Sequence, residues 1–498
     1  MKNPLEYVKK EPYKLYIDGE FVVSESGKTM DVLNPVNNEP FAKAYVGGKA
    51  DVDKAILAAR KAYDEGPWGK MTAKERAKLI MKAGRILETR KEEFAVLETL
   101  EAGKLYGSCY YFEGDMAVDA FEYWAGMART VEGKMIPCNE RGAWNCVLYQ
   151  PLGVVGEILP WNGPFLMGCQ KINGILAAGN TVIVKPATWA CTTMALLAEV
   201  YHEAGFPKGV VNVVMGPGGE CGNALVESPL VDMVSMTGGT GTGRKIIEKS
   251  ADTIKDIALE LGGKSPNIFF EDVDVDKAVE WARYGFTLHA GQVCVSGSRL
   301  IVHKSIYEEF LAKLKKEVLK FVPGDGFDPK TTLNALISRP HNNSVWNYIE
   351  MGKEEGARLV TGGVPYTDPI LAKGNFVPPT IFADVTPEMT VFQQEIFGPV
   401  VTVTPFETEE EAIALANSTI YGLAGGVNTN DVKRALRVVS AVRGGQIYVN
   451  SYFSKAMHES PGTGWKQSGL GIAGIHKYMI QKTVFFDTVD GSEPPVRI

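Results

Sequence analysis

From Val154 onward the chain repeats one phrase: a short apolar run rich in β-branched residues, a Gly or Pro break, then an amphipathic stretch. Near-continuous apolar runs of this kind suit strands buried on both faces. Residues 154–159 and Thr181–Lys185 read as strands, with Thr192–Ala204 a helix after the second. Residues 211–215, 231–235 and 257–261 continue the series. A second series begins after Gly263, with strands at 267–270, 299–302, 400–405, 423–428 and 446–450 and helices at 276–287 and 432–442. Strand and helix alternating in this way predict an α/β protein with parallel sheets covered by helices, in two successive units with a ligand cleft between them. Two segments, 135–149 and 483–489, read as exposed strands with no helix nearby. Unpaired edges are a liability unless covered, so they are expected to pair across subunits; an edge hairpin within one subunit is the alternative.

Composition narrows the class. At 498 residues the chain is long enough for two or three domains, and 45% hydrophobic with 22% charged residues is an ordinary globular balance. A net charge of -7 with no long Lys/Arg block argues against a nucleic-acid partner. The mixed run 313–320 reads as the solvated face of a helix. No apolar window reaches the ~18 residues of a membrane span, and residues 1–16 lack the pattern of a signal peptide. Seven cysteines at irregular spacing, without a metal-binding pattern, point to reduced thiols and a cytoplasmic setting.

Several familiar motifs fail. Gly262-Gly263-Lys264-Ser265 resembles the end of a P-loop, but its opening glycine would fall on Ala258. The glycines of 238–243 do not make Gly-x-Gly-x-x-Gly, although they follow a strand and precede a helix, which suits backbone amides facing a phosphate. No His-Glu-x-x-His or Gly-x-Ser-x-Gly is present.

An ordered constellation holds instead. Pro160-Trp161-Asn162 follows the first strand and Lys185-Pro186 ends the second. Then come Leu259-Glu260-Leu261-Gly262-Gly263-Lys264, Gly291-Gln292-Val293-Cys294, Glu395-Ile396-Phe397-Gly398-Pro399 and Lys466-Gln467-Ser468-Gly469. In this order the set resembles the aldehyde dehydrogenase superfamily, from Tyr16-Ile17-Asp18-Gly19 to Lys482-Thr483-Val484. The resemblance implies two doubly wound α/β domains, a Rossmann-like cofactor domain (1–133 and 152–261) and a catalytic domain (262–479). A small β oligomerisation element (134–151 and 480–498) would make a homodimer or homotetramer. It implies hydrolytic oxidation of an aldehyde with NAD or NADP, and neither a nucleic-acid nor a membrane partner.

The roles follow by the same resemblance. Expelling hydride from an aldehyde carbon needs a tetrahedral adduct, which a thiolate supplies; Cys294 resembles that nucleophile, leaving a thioester. The Asn162 side chain and the Cys294 backbone amide resemble the oxyanion donors, and Glu260 the base for the hydrolytic water. Lys185 and Glu395 resemble ribose-binding residues and Phe397 a wall beside the nicotinamide. Trp161, Thr188, Gly218, Gly238, Gly239 and Leu261 complete the cofactor set. The other cysteines (109, 138, 146, 169, 191 and 221) read as small buried thiols.

Four positions depart from the family pattern. Thr188 stands where many members carry a ribose-binding Glu, so NADP+ is expected to be accepted beside NAD+. Gly163 and Gly462 replace bulky residues along the substrate channel. Ile472-Ala473-Gly474 stands where many members carry a second acid, leaving Glu260 without an obvious substitute. The two glycines, with Met167, Trp124, Phe165, Leu288 and Phe453 nearby, predict a wide apolar pocket for an aromatic or long branched aldehyde. No Arg or Lys of the motifs is placed to hold a charged one. A relative that passes its acyl group to coenzyme A would generally lack Glu260. A non-catalytic protein of the same fold would have no need of Cys294, Glu260 and Asn162 together.

Overall fold

The computed structural model describes residues 3–137, 143–453, 458–460 and 462–487. Its largest sheet has eight strands, in the order Glu20–Val22, Leu15–Ile17, Val211–Val213, Thr181–Lys185, Val154–Ile158, Met233–Thr237, Asp256–Glu260 and Gly469–Leu470. The five strands from Val211–Val213 to Asp256–Glu260 run parallel. Val154, Val155, Val182, Ile183 and Val184 are all fully buried, which is why these strands show no polar alternation. From Val154–Ile158 the chain winds outward to Thr181–Lys185 and Val211–Val213. It then returns to the other side for Met233–Thr237. Winding therefore reverses between Val154–Ile158 and Met233–Thr237, and their carboxyl ends open onto a crevice.

The second sheet has seven strands: Arg358–Thr361, Thr380–Ala383, Val400–Phe406, Arg299–His303, Pro266–Phe269, Ala424–Asn428 and Gln446–Val449. All pair in parallel except the first. The helix over 313–320 belongs to Tyr307–Val318, whose Phe310, Leu311, Leu314 and Val318 are buried beneath exposed Lys315 and Lys316. The strand expected at 231–235 begins two residues later. Val231 is still in the turn after Ser228, and Asp232 caps the neighbouring strand by accepting the Val154 N–H at 2.7 Å. Before residue 133, where no strand–helix alternation was legible, helices Lys49–Asp64, Ala73–Ala102 and Gly114–Met127 join the first core.

The two edge segments meet each other within one chain. Met479–Asp487 runs antiparallel to Ala143–Pro151 in unbroken register, and Lys134–Ile136 adds a third strand. Within the chain the two segments pair with each other, the alternative to pairing across subunits. The long register between 143–151 and 479–487 satisfies them internally. Met135 and Phe485 remain exposed on this small sheet. Residues 138–142 and 488–489 of the two predicted segments lie outside the described residues, as does Cys138. No helix among the described residues is long and apolar enough to cross a membrane.

Helix Pro164–Ala178 packs on Val154–Ile158 and Thr181–Lys185 and carries the crevice's rim. Proline at its first turn costs no hydrogen bond, and Gly179, at φ 101°, ends it in the left-handed region. Its Phe165 is fully buried and stacks on Phe94 at 4.6 Å, in the core and not in the pocket where sequence had placed it. Phe165→Ala is expected to destabilise the protein by about 3–5 kcal/mol in urea titration. A loss below ~1 kcal/mol would show that the core does not depend on this stack.

Candidate active site

Both sides of the crevice deliver side chains from strand ends. Asn162 follows the Val154–Ile158 strand through Pro160-Trp161, and Glu260 is the last residue of Asp256–Glu260, paired with Thr237. From the second sheet comes the segment carrying Cys294. It is entered through a tight turn, Leu288–Gly291, with His289 and Ala290 at φ 49° and 52°. Buried Gln292 pins that turn: its Nε2 donates to His289 O at 3.1 Å and its Oε1 accepts from Ile337 N at 2.9 Å. Asn162 Nδ2 donates to Gln292 O at 2.9 Å, tying the two sheets together and leaving its second N–H free to donate. Asn162, Glu260 and Cys294 thus line one cavity of about 800 Å³, with Gly163, Met167, Trp124, Leu261, Leu288, Phe453 and Gly462 also on its wall.

The thiol is reachable from the cavity yet surrounded by protein. Burial, and then the negative charges of Glu395 and Glu260, push the Cys294 thiol up to about 12. Glu395 is itself pushed up to about 7 by burial, opposed by its bond from Gly263 N (2.9 Å) and by Lys264. A Cβ on Gly262 would lie 2.2 Å from the Glu395 carboxylate, so this approach requires glycine.

The remaining predicted residues lie outside that cavity's lining, after the strands of the first sheet and in the segment before Val400–Phe406. Lys185 is buried at its strand end, and among the described residues no hydrogen bond or ion pair engages its ammonium. Thr188 Oγ1 donates to Gly216 O at 3.2 Å. Gly218 and Gly239 face open space, and no side chain caps the helix Thr240–Ser250 that follows Gly238-Gly239. Trp161 packs edge-on to Phe397 at 5.3 Å and beside His341, whose Nε2 meets Phe397 O at 2.7 Å. A free buried ammonium, uncapped helical N–H groups and an aromatic wall fit a dinucleotide.

Two expectations about the pocket and thiols need correction. The motifs offer no cation for a charged substrate, but Lys104, Lys171, Arg283 and Lys477 reach the cavity from outside them. Lys104 is held by Glu98 and Glu113 at 2.8 and 2.6 Å. Cys146 is half-buried on the edge sheet, whereas Cys109, Cys169, Cys191 and Cys221 are buried. Sequence reasoning missed Glu157 and Lys171, although a charge inside an otherwise apolar strand or helix is a legible anomaly. Lys477 carried no such signal. Gly163, with φ -156°, is under no backbone compulsion to be glycine; a Cβ there would only touch Met167 at 3.5 Å.

Fold and cleft define the class of an α/β oxidoreductase. The sequence matches the Aldehyde dehydrogenase family over residues 21–486. It is 42% identical to a betaine aldehyde dehydrogenase of Bacillus subtilis (strain 168), over 95% of this chain and 97% of that one. It is 40% identical to rat (Rattus norvegicus) aldehyde dehydrogenase, cytosolic 1, over 97% and 96%. The structure superposes on Staphylococcus aureus betaine aldehyde dehydrogenase, solved with NAD+, at a TM-score of 0.94, with 38% identity and 99% of both chains covered. The chain belongs to the aldehyde dehydrogenase family.

The charges around the thiol generate a pH test. Glu395→Gln removes the larger of the two carboxylate effects and lowers the thiol's pKa, so thiolate appears at lower pH. A thiol pKa lower by one gives tenfold more thiolate at a fixed pH below it, and alkylation of Cys294 by iodoacetamide at pH 8 is expected to speed up several-fold. An unchanged or slower rate would show that Glu395 does not act on the thiol through its charge.

Proposed function

We propose that the chain oxidises an aldehyde to its carboxylic acid with NAD+ or NADP+, through a thioester on Cys294 that water hydrolyses. What carries this reading is the convergence of Cys294, Glu260 and Asn162 on one cavity wall. Cys294 adds to the aldehyde carbon once its proton has passed to Glu260. The free N–H of Asn162 and the backbone N–H of Cys294 hold the resulting oxyanion. NAD(P)+ supplies the hydride acceptor. Once Glu260 has released the thiol's proton to solvent through the cavity, it takes a proton from water as that water attacks the thioester, and the thiolate leaves.

In the same reading Lys185 and Glu395 hold the two ribose rings, and Trp161, Leu261 and Phe397 shape the nicotinamide side. Gly218, Gly238 and Gly239 bring open backbone to the phosphates. Neutral Thr188, with Lys185 close by in sequence, admits a 2′-phosphate, so both cofactors serve. The first sheet with its helices forms the cofactor domain and the second the catalytic domain. The exposed three-stranded sheet is the oligomerisation element of a homodimer or homotetramer, in the cytoplasm.

The substrate reading is a bulky apolar aldehyde, aromatic or long and branched. It rests on the roomy cavity, the absence of side chains at Gly163 and Gly462, and the aromatic rings of Tyr123, Trp124, Tyr284 and Phe453 on the wall. Those rings also suit a quaternary ammonium, and betaine aldehyde dehydrogenases are among the relatives, so betaine aldehyde is a second reading.

Cys294→Ala is expected to abolish NAD(P)H formation while cofactor binding persists, and Asn162→Ala to slow turnover by roughly 10²–10³-fold. Real turnover by the alanine variant of Cys294 would end the thioester scheme.

For the substrate, kcat/KM is to be measured with each cofactor over acetaldehyde, hexanal, benzaldehyde, phenylacetaldehyde, succinic semialdehyde and betaine aldehyde. The bulky members should lead, each buried methylene contributing up to about 0.8 kcal/mol, and Gly163→Phe should selectively depress them. The pocket reading fails if acetaldehyde or the semialdehyde is best, or if Gly163→Phe spares the bulky substrates. Betaine aldehyde in first place would install the second reading.

A further inference from the structure

Helix Val275–Thr287 ends ahead of the thiol, and the chain then runs left-handed for three residues in succession. His289, Ala290 and Gly291 lie at φ 49°, 52° and 75°. Glycine adopts this conformation freely, but a residue with a Cβ loses about 1–2 kcal/mol there. Such backbone persists only where its surroundings hold it. Gln292 N donates to His289 O at 3.1 Å, which closes the turn from within. Ala290 and Gly291 have no side-chain group to hold it from outside, so that task falls to His289.

The imidazole meets Asn334, 45 residues further along the chain. Asn334 Nδ2 lies 3.1 Å from His289 Nδ1 and 2.9 Å from Ala335 O. A carbonyl can only accept, so the Asn334 amide nitrogen is the atom between them and donates one hydrogen to each. That assigns the tautomer: His289 Nδ1 accepts, and the ring proton sits on Nε2. Gln292 Nε2 comes within 3.5 Å of His289 Nε2, but its hydrogens go to His289 O and Ala335 O. That approach sets two donors side by side and makes no bond. Desolvation, and then the Lys104 ammonium, hold the imidazole well below its ordinary pKa, which keeps Nδ1 able to accept. Asn334 is a firm anchor. It is buried, and beyond it Leu336 N donates to Asn375 O at 2.8 Å and Ile337 N to Gln292 Oε1 at 2.9 Å.

We infer that His289 is a positioning residue: its bond from Asn334 locks the left-handed turn and so sets both the Cys294 thiol and the Asn162 amide. Every link in that route is a covalent or a hydrogen bond. His289 O and the segment 334–337 hold Gln292, and Gln292 O accepts from Asn162 Nδ2 at 2.9 Å. Cys294 follows Gln292 by two residues. His289 stands on the cavity wall with Cys294 and Asn162. It acts through those two groups, so the inference rests on the roles proposed for them.

Substitutions at position 289 separate the acceptor from the backbone. His289→Asn keeps both, because asparagine Oδ1 falls where Nδ1 was and asparagine tolerates the left-handed region. His289→Gly relaxes the backbone but has no acceptor, and His289→Leu has neither advantage. The measurement is the burst of 4-nitrophenol from 4-nitrophenyl acetate, which acylates Cys294 without a cofactor, beside kcat and KM for the aldehyde. His289→Gly and His289→Leu should slow the burst about tenfold or more and lower kcat by a similar factor, since small displacements of reacting groups cost that much. The aldehyde KM should stay within about threefold of the wild type, as expected for groups that act on the transition state. His289→Asn should recover most of the loss. Asn334→Leu should repeat the loss in the wild type and add little in His289→Gly, because one bond is removed either way.

A burst unchanged in His289→Gly, or lost as fully in His289→Asn as in His289→Leu, would overturn the inference. Cys294→Ala tells its failure from that of the thioester scheme. A burst that survives in Cys294→Ala removes the thiol's role altogether. A burst lost there but unchanged in His289→Gly removes only the positioning by His289.

Discussion

The pairing of Val154–Ile158 with Met233–Thr237 is the constraint on which the site depends. These strands are adjacent in space but separated in sequence by two strand–helix units, so the loops leaving them diverge to opposite sides. A crevice opens where they part. Asp232 fastens the amino ends, accepting the Val154 N–H while Asp232 N–H donates to Val154 O at 2.9 Å. With the register set there, Asn162, Gly238 and Glu260 emerge side by side. Any slip would send the Glu260 carboxylate to the wrong face of the sheet.

A second constraint joins the two sheets. The bond Asn162 Nδ2 to Gln292 O crosses from one sheet's loops to the other's, and Gly263 N to Glu395 Oε1 ties the segment that joins the sheets to the second. They are short and partly buried, where competing water is scarce, and each positions a group at the cavity by engaging one of its atoms. Asn162 keeps one N–H free and Glu395 one oxygen. Rigidity and reactivity therefore come from the same side chains.

The cavity region is crowded with charge for an apolar fold. Lys104 with Glu98 and Glu113 is one buried cluster at the wall, and Lys171, Lys477, Glu157 and Glu260 make another. In a weakly screening interior such groups survive only by pairing or by shifting toward neutrality. The first cluster pairs directly. In the second, burial drives Glu157 and Lys477 toward their neutral forms.

What the sequence determined by itself is what depends on local pattern. Apolar β-branched runs such as 181–185 can only be strands buried on both faces, and helix Thr192–Ala204 was legible residue for residue because Gly205 terminates it. The ordered motifs around Cys294, Glu260 and Asn162 likewise marked the residues that meet in the crevice. What only tertiary structure decided is which distant segments meet. It paired 143–151 with 479–487 inside one chain and took Phe165 into the core against Phe94. It also brought Lys171 and Lys477 to the face that carries Glu157. Periodicity reports which face of an element is buried, but not against what. Partners come from strand order and helix packing across hundreds of residues, and no local run of sequence encodes that.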